Sequence, residues 1–318
     1  MRPIVVATAQ LPGAAFAGLE EDFDLRVLSP DTTAEQLAAE MDEASALICL
    51  LSVPVGEDLL SRAPRLRIVA NYAVGVDNVD VAAAASRNIV VTNTPGVLTE
   101  ATADMAMAMI LAVSRRLLEG DRLVRAGGFS GWRPDLLLGS GLQGKTLGIV
   151  GPGRIGKATA RRALAFGLDV VAFGRSARDP SDRNDPPRVA FEEMLASSDF
   201  ISLHVPLTPE TFHLFGSEAF SRTKASAVLV NTARGAVVDE AALCRALDEG
   251  RISGAALDVF EREPIIAPAL LDDDRVLLMP HAASATRETR EEMARMVSDD
   301  VRRVLQGQKA RWPVAGSS

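Results

Sequence analysis

The 318-residue sequence predicts an α/β fold with two parallel sheets, and three observations carry that prediction. Short apolar, partly β-branched runs alternate with alanine-rich or charged segments of helical spacing along the whole chain, which is the rhythm of βα units. The runs form two series, too many strands for one ordinary open sheet. Between the series, TNTPG at 92–96 punctuates the chain with proline and glycine.

Taken in order, the first series is IVVAT from Ile4, ALICLL from Ala46, LRIVANY from Leu66 and NIVVTNT from Asn88. The opening MRPIVVATAQLPG joins a basic start to an apolar run that is brief and soon meets acidic EEDFD, so a first strand explains it better than a signal peptide. After 92–96 comes EATADMAMAMILAVSRRLLEGDRLVRAG, read as one long helix. It is apolar on several faces, which points to burial between domains or in a subunit interface. Its apolar part, 105–113, is too short to span a bilayer. The second series begins at Thr146 and continues with DVVAF at Asp169, FISLHV at Phe200, AVLVN at Ala227, GAALDV at Gly254 and VLLMP at Val276. A last helix, from about Thr286 to Leu305, has no strand after it and is expected to return to the first domain. The expected domains are therefore 1–97, completed by 286–318, and 98–285.

Composition sets bounds on function. A hydrophobic content of 47% is ample for a core, and the net charge of −8 is spread over short mixed clusters. Neither a nucleic-acid footprint nor a basic membrane-binding face is expected. The two cysteines, Cys49 and Cys244, lie in apolar or helical contexts, which fits buried thiols in a reducing compartment, hence a cytoplasmic location. No Cys/His spacing of a metal site is visible, and no metal is expected.

The most informative stretch is GKTLGIVGPGRIG at 144–156. An apolar strand runs into a glycine loop and then into a helical pattern that Gly167 stops, and this is the layout of a dinucleotide-phosphate site in a Rossmann-like domain. Gly151 can make the tight turn, Gly153 admits backbone N–H groups to a pyrophosphate, and Gly156 lets the helix pack closely on the strand. A helix N-terminus facing the phosphates favours anions.

Ligands of such sheets bind at the carboxyl ends of the strands, so polar residues there are the chemical candidates. Arg234 follows AVLVN, Asp258 stands near the end of GAALDV with Glu263 after it, and His281 follows VLLMP. Of the other histidines, His204 lies in a strand and is read as structural or cofactor-adjacent, and His213 is read into a helix.

The motifs NTARGAVVDE, DVFEREP and PHAASAT resemble signatures of the D-isomer-specific 2-hydroxyacid dehydrogenases, and the resemblance runs from NYAVGVDNVD at Asn71 to Thr286. TNTPGVLTEATAD and GWRPDLLLGSGLQGKTLGIVGPGRIG, the latter at 131–156, are most similar to the glyoxylate and hydroxypyruvate reductase branch. The resemblance implies that a small 2-keto acid is reduced by a nicotinamide cofactor. It implies His281 as the general acid at the C2 oxygen, a task that suits an imidazole. Glu263 would bond the other ring nitrogen, and Arg234 would bind the substrate carboxylate and carbonyl oxygen through a planar fork. The loop at Val74 and Gly75 would offer backbone N–H groups to the substrate carboxylate, with Ser52 facing the same cleft. Further cofactor contacts implied are Thr102, Arg154, Ile155, Thr232, Ala233 and Asp258, and a homodimer is implied in which Trp132 reaches the neighbouring subunit.

Charge argues for the choice of cofactor. An NAD enzyme places Asp or Glu about 20 residues past the glycines to bind the ribose hydroxyls. Here Gly174, Arg175, Ser176 and Arg178 stand there instead, and these donors favour NADP, with NAD still possible. Two other functions stay open at this stage: a dinucleotide-sensing regulator on the same fold, or a dehydrogenase of a larger substrate.

Overall fold

The computed structural model describes residues 2–29, 31–175, 177–179, 181–182 and 185–316. The chain divides into two compact units, Met1–Leu98 with Ala285–Ser318, and Thr99–Ser284.

In the first unit the elements follow as β1 (Ile4–Ala7), α1 (Ala17–Asp22), β2 (Asp24–Val27), α2 (Ala34–Met41), β3 (Ala44–Cys49), α3 (Glu57–Ser61), β4 (Ile68–Asn71), α4 (Val81–Ser86) and β5 (Val90–Thr92). They form a five-stranded parallel sheet of order β2-β1-β3-β4-β5. Strands β1 and β4 are buried at every position and β3 at all but one, which is why their sequences read as unbroken apolar runs. Strand β2 was not expected from the sequence. Its DLRV sits on the sheet edge with every residue at least partly exposed, so it lacks the apolar signal of its neighbours. Local signals fix two helix starts: Thr33 and Gln36 exchange side-chain and backbone bonds in a capping box, and Asp80 accepts from the Ala83 N–H.

The C-terminal helix, Arg287–Leu305, packs against β3 and β4 and covers the first unit's sheet with Met293, Ala294, Val297 and Val301. Two polar contacts fix its ends. Tyr72 donates its hydroxyl to the Arg290 carbonyl at 2.7 Å, and the Arg67 guanidinium reaches the last-turn carbonyls of Val304 and Leu305.

The second unit holds α5 (Thr99–Ser114), α6 (Leu117–Arg125), β6 (Thr146–Val150), α7 (Arg154–Ala165), β7 (Asp169–Phe173), α8 (Phe191–Ser197), β8 (Phe200–Leu203), α9 (Ser217–Arg222), β9 (Val228–Asn231), α10 (Glu240–Asp248), β10 (Gly254–Leu257), α11 (Pro268–Leu271) and β11 (Val276–Leu278). Its sheet is parallel and six-stranded, ordered β11-β10-β9-β8-β6-β7. Strand order reverses at β6, so the glycine loop that follows β6 lies at the switch point where such sheets bind ligands.

The long helix expected after 92–96 is two helices. Gly139 packs so tightly on the end of α5 that a Cβ there would lie 2.3 Å from the Ser114 carbonyl oxygen. The Ser140 N–H takes that carbonyl at 2.7 Å, and Arg116 turns left-handed at φ 53°. The returning chain thus ends α5 by a contact that no local pattern encodes. Helix α6 buries none of its residues. Among the described residues, no helix is long and apolar enough to cross a membrane.

Replacing Arg67 with Met removes the donors at the end of the C-terminal helix while keeping its apolar stem. The expected cost is about 1–3 kcal/mol, read as a lower urea midpoint with an unchanged slope.

Candidate active site

Three features make the turn after β6 a fit for a dinucleotide. Gly151 has φ 90°, and a Cβ there would lie 2.7 Å from the His204 carbonyl oxygen. A Cβ on Gly156 would lie 2.4 Å from the Gly151 carbonyl oxygen, so the first turn of α7 rests directly on the loop. Gly153, which caps α7, has open space where its side chain would be, leaving backbone N–H groups accessible. Arg154 is exposed and opens α7, and Ile155 follows it half-buried; the first turn carries no acidic residue. A cation at the positive end of a helix is unfavourable alone and favourable beside an anion. These residues fit a pyrophosphate.

The loop after β7 is built on charge. Gly174 packs on Pro152, and Arg175 is exposed. Asp185, fully buried, accepts from the Asp179 N–H at 2.8 Å and pairs with Lys157 at 2.8 Å and Arg188 at 2.7 Å. Burial pushes its carboxyl up, but the Asp179 N–H and these cations outweigh that and hold it far below the usual range. The Arg178 side chain donates to the Asp185 carbonyl at 3.1 Å, so this arginine supports the loop. Ser176 lies outside the described residues.

The strand ends of β9, β10 and β11 converge as the sequence suggests. His281 Nδ1 lies 2.9 Å from Glu263 Oε2. The other Glu263 oxygen accepts the Phe260 N–H at 3.0 Å, which fixes the carboxylate from its own loop. Burial pushes the Glu263 carboxyl up, but the His281 hydrogen bond, the Phe260 N–H and the charges of His281 and Arg234 outweigh it and leave it below its ordinary value. Arg234 thus acts electrostatically on the same pair. Its loop is held by Asn231, whose amide donates to the Arg234 carbonyl at 2.9 Å and accepts the Ala233 N–H at 3.0 Å.

His281 has φ 55°, a left-handed conformation that a non-glycine residue adopts only when its surroundings impose it. Asp258 imposes it. This residue is completely buried at the end of β10, and its two oxygens accept the N–H groups of Ala282 and Ala283, each at 2.7 Å, while its carbonyl accepts the His281 N–H at 2.8 Å. Burial pushes the Asp258 carboxyl up, and the two N–H donors oppose the rise. Both oxygens of Asp258, a residue that the sequence reading gave to the cofactor, hold the turn that carries His281. The buried Thr232 hydroxyl has no hydrogen-bond partner among the described residues, a further feature that fits a bound polar group. Thr102 is buried in α5, and Ala233 is half-buried.

The other histidines lie in different surroundings. Burial pushes the His204 imidazole down to about 3, and its Nε2 meets Ser202 Oγ at 2.9 Å. His213 is in a turn with φ 51°, not in a helix as its sequence suggested, because its N–H is drawn to the Ala236 carbonyl.

In the first unit, Val74 and Gly75 sit on a half-buried loop tied by side chains that the sequence reading missed. Buried Asn71 donates to the Gly75 carbonyl at 2.8 Å, Asn93 to the Val74 carbonyl at 2.7 Å, and Asn78 to the Val53 carbonyl at 3.0 Å. Asn71 and Asn78 also pair with each other at 3.2 Å. The asparagines at the end of β4 and just beyond it were the available signal. Ser52 is exposed and lines a cavity of about 710 Å³ with Thr8, Thr33 and Arg62. Among the described residues, no group of three or more His, Cys, Asp or Glu could hold a metal ion.

Residues 107–283 match the model of the D-isomer specific 2-hydroxyacid dehydrogenase family, NAD binding domain. The chain belongs to that family. The dehydrogenase is 47% identical to a glyoxylate reductase of Korarchaeum cryptofilum, over 95% of its own length and 92% of that protein, and 46% identical to one of Thermococcus litoralis, over 95% and 93%. Among solved structures it is similar to a glyoxylate reductase from Paecilomyes thermophila, with a TM-score of 0.91 and 31% identity over 100% of this chain and 99% of that one. It is also similar to an NADPH-dependent glyoxylate/hydroxypyruvate reductase from Sinorhizobium meliloti in complex with NADP and malonate, with a TM-score of 0.87 and 35% identity over 100% and 98%.

Two outcomes follow from this geometry. Asp258→Asn turns one acceptor oxygen into a donor facing an N–H, so the turn at His281 loosens, and activity is expected to fall about 100-fold while the folded chain persists by circular dichroism. For Glu263 the folded pKa lies below the unfolded one, so its ionisation stabilises the fold above the ordinary carboxylate pKa of about 4.3 and ceases to as pH falls through the folded value. In urea titrations the advantage of the wild type over Glu263→Gln is expected to be constant near neutrality and to shrink with acidification below about pH 5.

Proposed function

We propose that this dehydrogenase reduces glyoxylate or hydroxypyruvate to the 2-hydroxy acid with NADPH, with His281 as the proton donor. The observation that carries the reading is the 2.9 Å pair of His281 and Glu263, on which the charge of Arg234 also acts. With Nδ1 committed to Glu263, Nε2 is the ring nitrogen left to hold the proton that goes to the C2 oxygen. Glu263 fixes the tautomer and orientation of the ring. Arg234 offers a planar fork to the keto-acid carboxylate and to the oxygen on which charge develops. Val74, Gly75 and Ser52 are proposed as further substrate contacts. NADPH, when bound, supplies the hydride. The residues proposed to hold it are Gly151, Gly153, Arg154, Ile155 and Gly156 at the pyrophosphate, Thr102, Thr232 and Ala233 elsewhere along it, and Gly174, Arg175 and Ser176 at the 2′-phosphate. The relatives named glyoxylate reductase support the substrate class, and the NADPH-dependent Sinorhizobium meliloti enzyme supports the cofactor.

NADP is preferred over NAD in this reading because Arg175 stands exposed after β7 where an NAD site needs a carboxylate. We also propose a homodimer built on the segment that includes α6: Leu117, Val124, Phe129, Trp132 and Leu138 are all more than half exposed, a density of apolar surface that a second copy would cover. We also propose a cytoplasmic location, a reducing compartment in which the free thiols of Cys49 and Cys244 would persist.

Glyoxylate, hydroxypyruvate, pyruvate and phenylpyruvate, each assayed with NADPH and NADH, test the reading. The smaller two with NADPH are expected to show the highest kcat/KM, and a phenylpyruvate preference would overturn the substrate assignment. Arg175→Asp replaces a charge-assisted contact worth about 1.5–3 kcal/mol, so NADPH affinity is expected to drop roughly 10-fold to 100-fold with little change for NADH. For the dimer, light scattering of Trp132→Asp together with Val124→Asp is expected to give the mass of a single chain where the wild type gives twice that.

A further inference from the structure

The loops that carry Arg234 and Glu263 are joined by a second histidine–glutamate contact that the proposed chemistry does not use. His213 Nε2 lies 3.2 Å from Glu261 Oε1. The two atoms lie within contact distance, and Nε2 makes no aligned hydrogen bond among the described residues. The ring is held in place by Phe212, which stacks on it at 3.9 Å and 17°. Glu261 is fixed from its other side: its Oε2 accepts the Glu240 N–H at 3.2 Å, and its own N–H donates to Glu240 Oε1 at 2.6 Å. These reciprocal bonds seat the 258–264 loop on the first turn of α10.

The backbone of His213 meanwhile serves the other loop. Its N–H donates to the Ala236 carbonyl at 2.9 Å, and the Phe215 N–H donates to the Val237 carbonyl at 3.0 Å, so 213–215 braces the 3₁₀ turn Gly235–Val237 directly after Arg234. The two loops also touch without any side chain between them, because a Cβ on Gly235 would lie 1.8 Å from the Phe260 carbonyl carbon. One residue therefore holds the Arg234 loop by its main chain and the Glu263 loop by its side chain.

We propose that His213 and Glu261 are positioning residues which, as a clasp anchored on Glu240, set the distance of Glu263 from His281 independently of Arg234. The inference rests on the proposed role of the His281 and Glu263 pair. Glu261 lies two residues from Glu263 and one from Phe260, whose N–H fixes Glu263 Oε1, so a displacement of Glu261 passes through a short stretch of main chain to the catalytic carboxylate. Loss of the His213 side chain leaves the bond from residue 213 to Ala236 intact, and the expected effect is on the proton-transfer step alone.

His213→Asn separates this role from a merely structural one. Asparagine tolerates the left-handed φ of 51° as well as histidine does, but it is too short to reach Glu261. Single-turnover oxidation of NADPH by glyoxylate is expected to slow about 10-fold to about 100-fold, with unchanged glyoxylate KM and NADPH Kd. His213→Gln, whose amide reaches the carboxylate, is expected to recover most of the rate. Glu261→Ala is expected to slow the same step, and the double variant His213→Asn with Glu261→Ala to be no slower than Glu261→Ala alone. A wild-type rate in His213→Asn overturns the proposal, as does a loss that glutamine fails to restore and that comes with weaker NADPH binding and a lower Tm. Glu263→Gln, measured in parallel, distinguishes the two readings. If it is slow while His213→Asn is not, only the clasp is wrong; if Glu263→Gln is itself as fast as the wild type, the acid pair and the clasp fall together.

Discussion

A buried carboxylate governs the site. Asp258 has no contact with water, and two backbone N–H groups, from Ala282 and Ala283, are aimed at its oxygens and offset part of the cost of burying them. The same bonds force the chain after β11 into a turn whose first residue is left-handed, and that residue is His281. The position of His281 beside Glu263 thus rests on one interaction beneath it. The backbone strain at His281 is stored there because this turn over-determines it.

The glycine loop obeys a similar logic with the opposite means. Where Asp258 positions by attraction, Gly151 and Gly156 position by the absence of a side chain, since a single methyl at either would collide with a main-chain oxygen. The helix can start where it does only because nothing stands between it and the strand. Its unpaired N–H groups then present partial positive charge at the carboxyl end of the sheet.

Much of this was legible in the sequence, because it was written in local patterns. The strands β1, β3 and β4 announced themselves by continuous burial, the glycine turn by its spacing between strand and helix, and Arg234, Glu263 and His281 by following strand ends. What could not be read depended on distant chain. Strand β2 has an edge position and so no apolar signature, and α5 stops at a contact with Gly139 and Ser140 that no pattern within the helix reveals. The hold of Asp258 on the His281 turn was hidden because its two N–H partners come from over twenty residues away, and the roles of Asn71, Asn78 and Asn93 were hidden because their bonds run largely to backbone carbonyls. Side chains that bind main chain leave little trace in a sequence, since the partner can be any residue.

The discontinuity of the first unit has a consequence for its birth. Its sheet is complete by Thr92, but the helix that covers one face, with Met293, Val297 and Val301, comes in sequence only after the whole of the second unit. The second unit is one uninterrupted stretch able to condense as it is made, whereas the first unit's sheet gains this cover only once residues 99–284 have been synthesised.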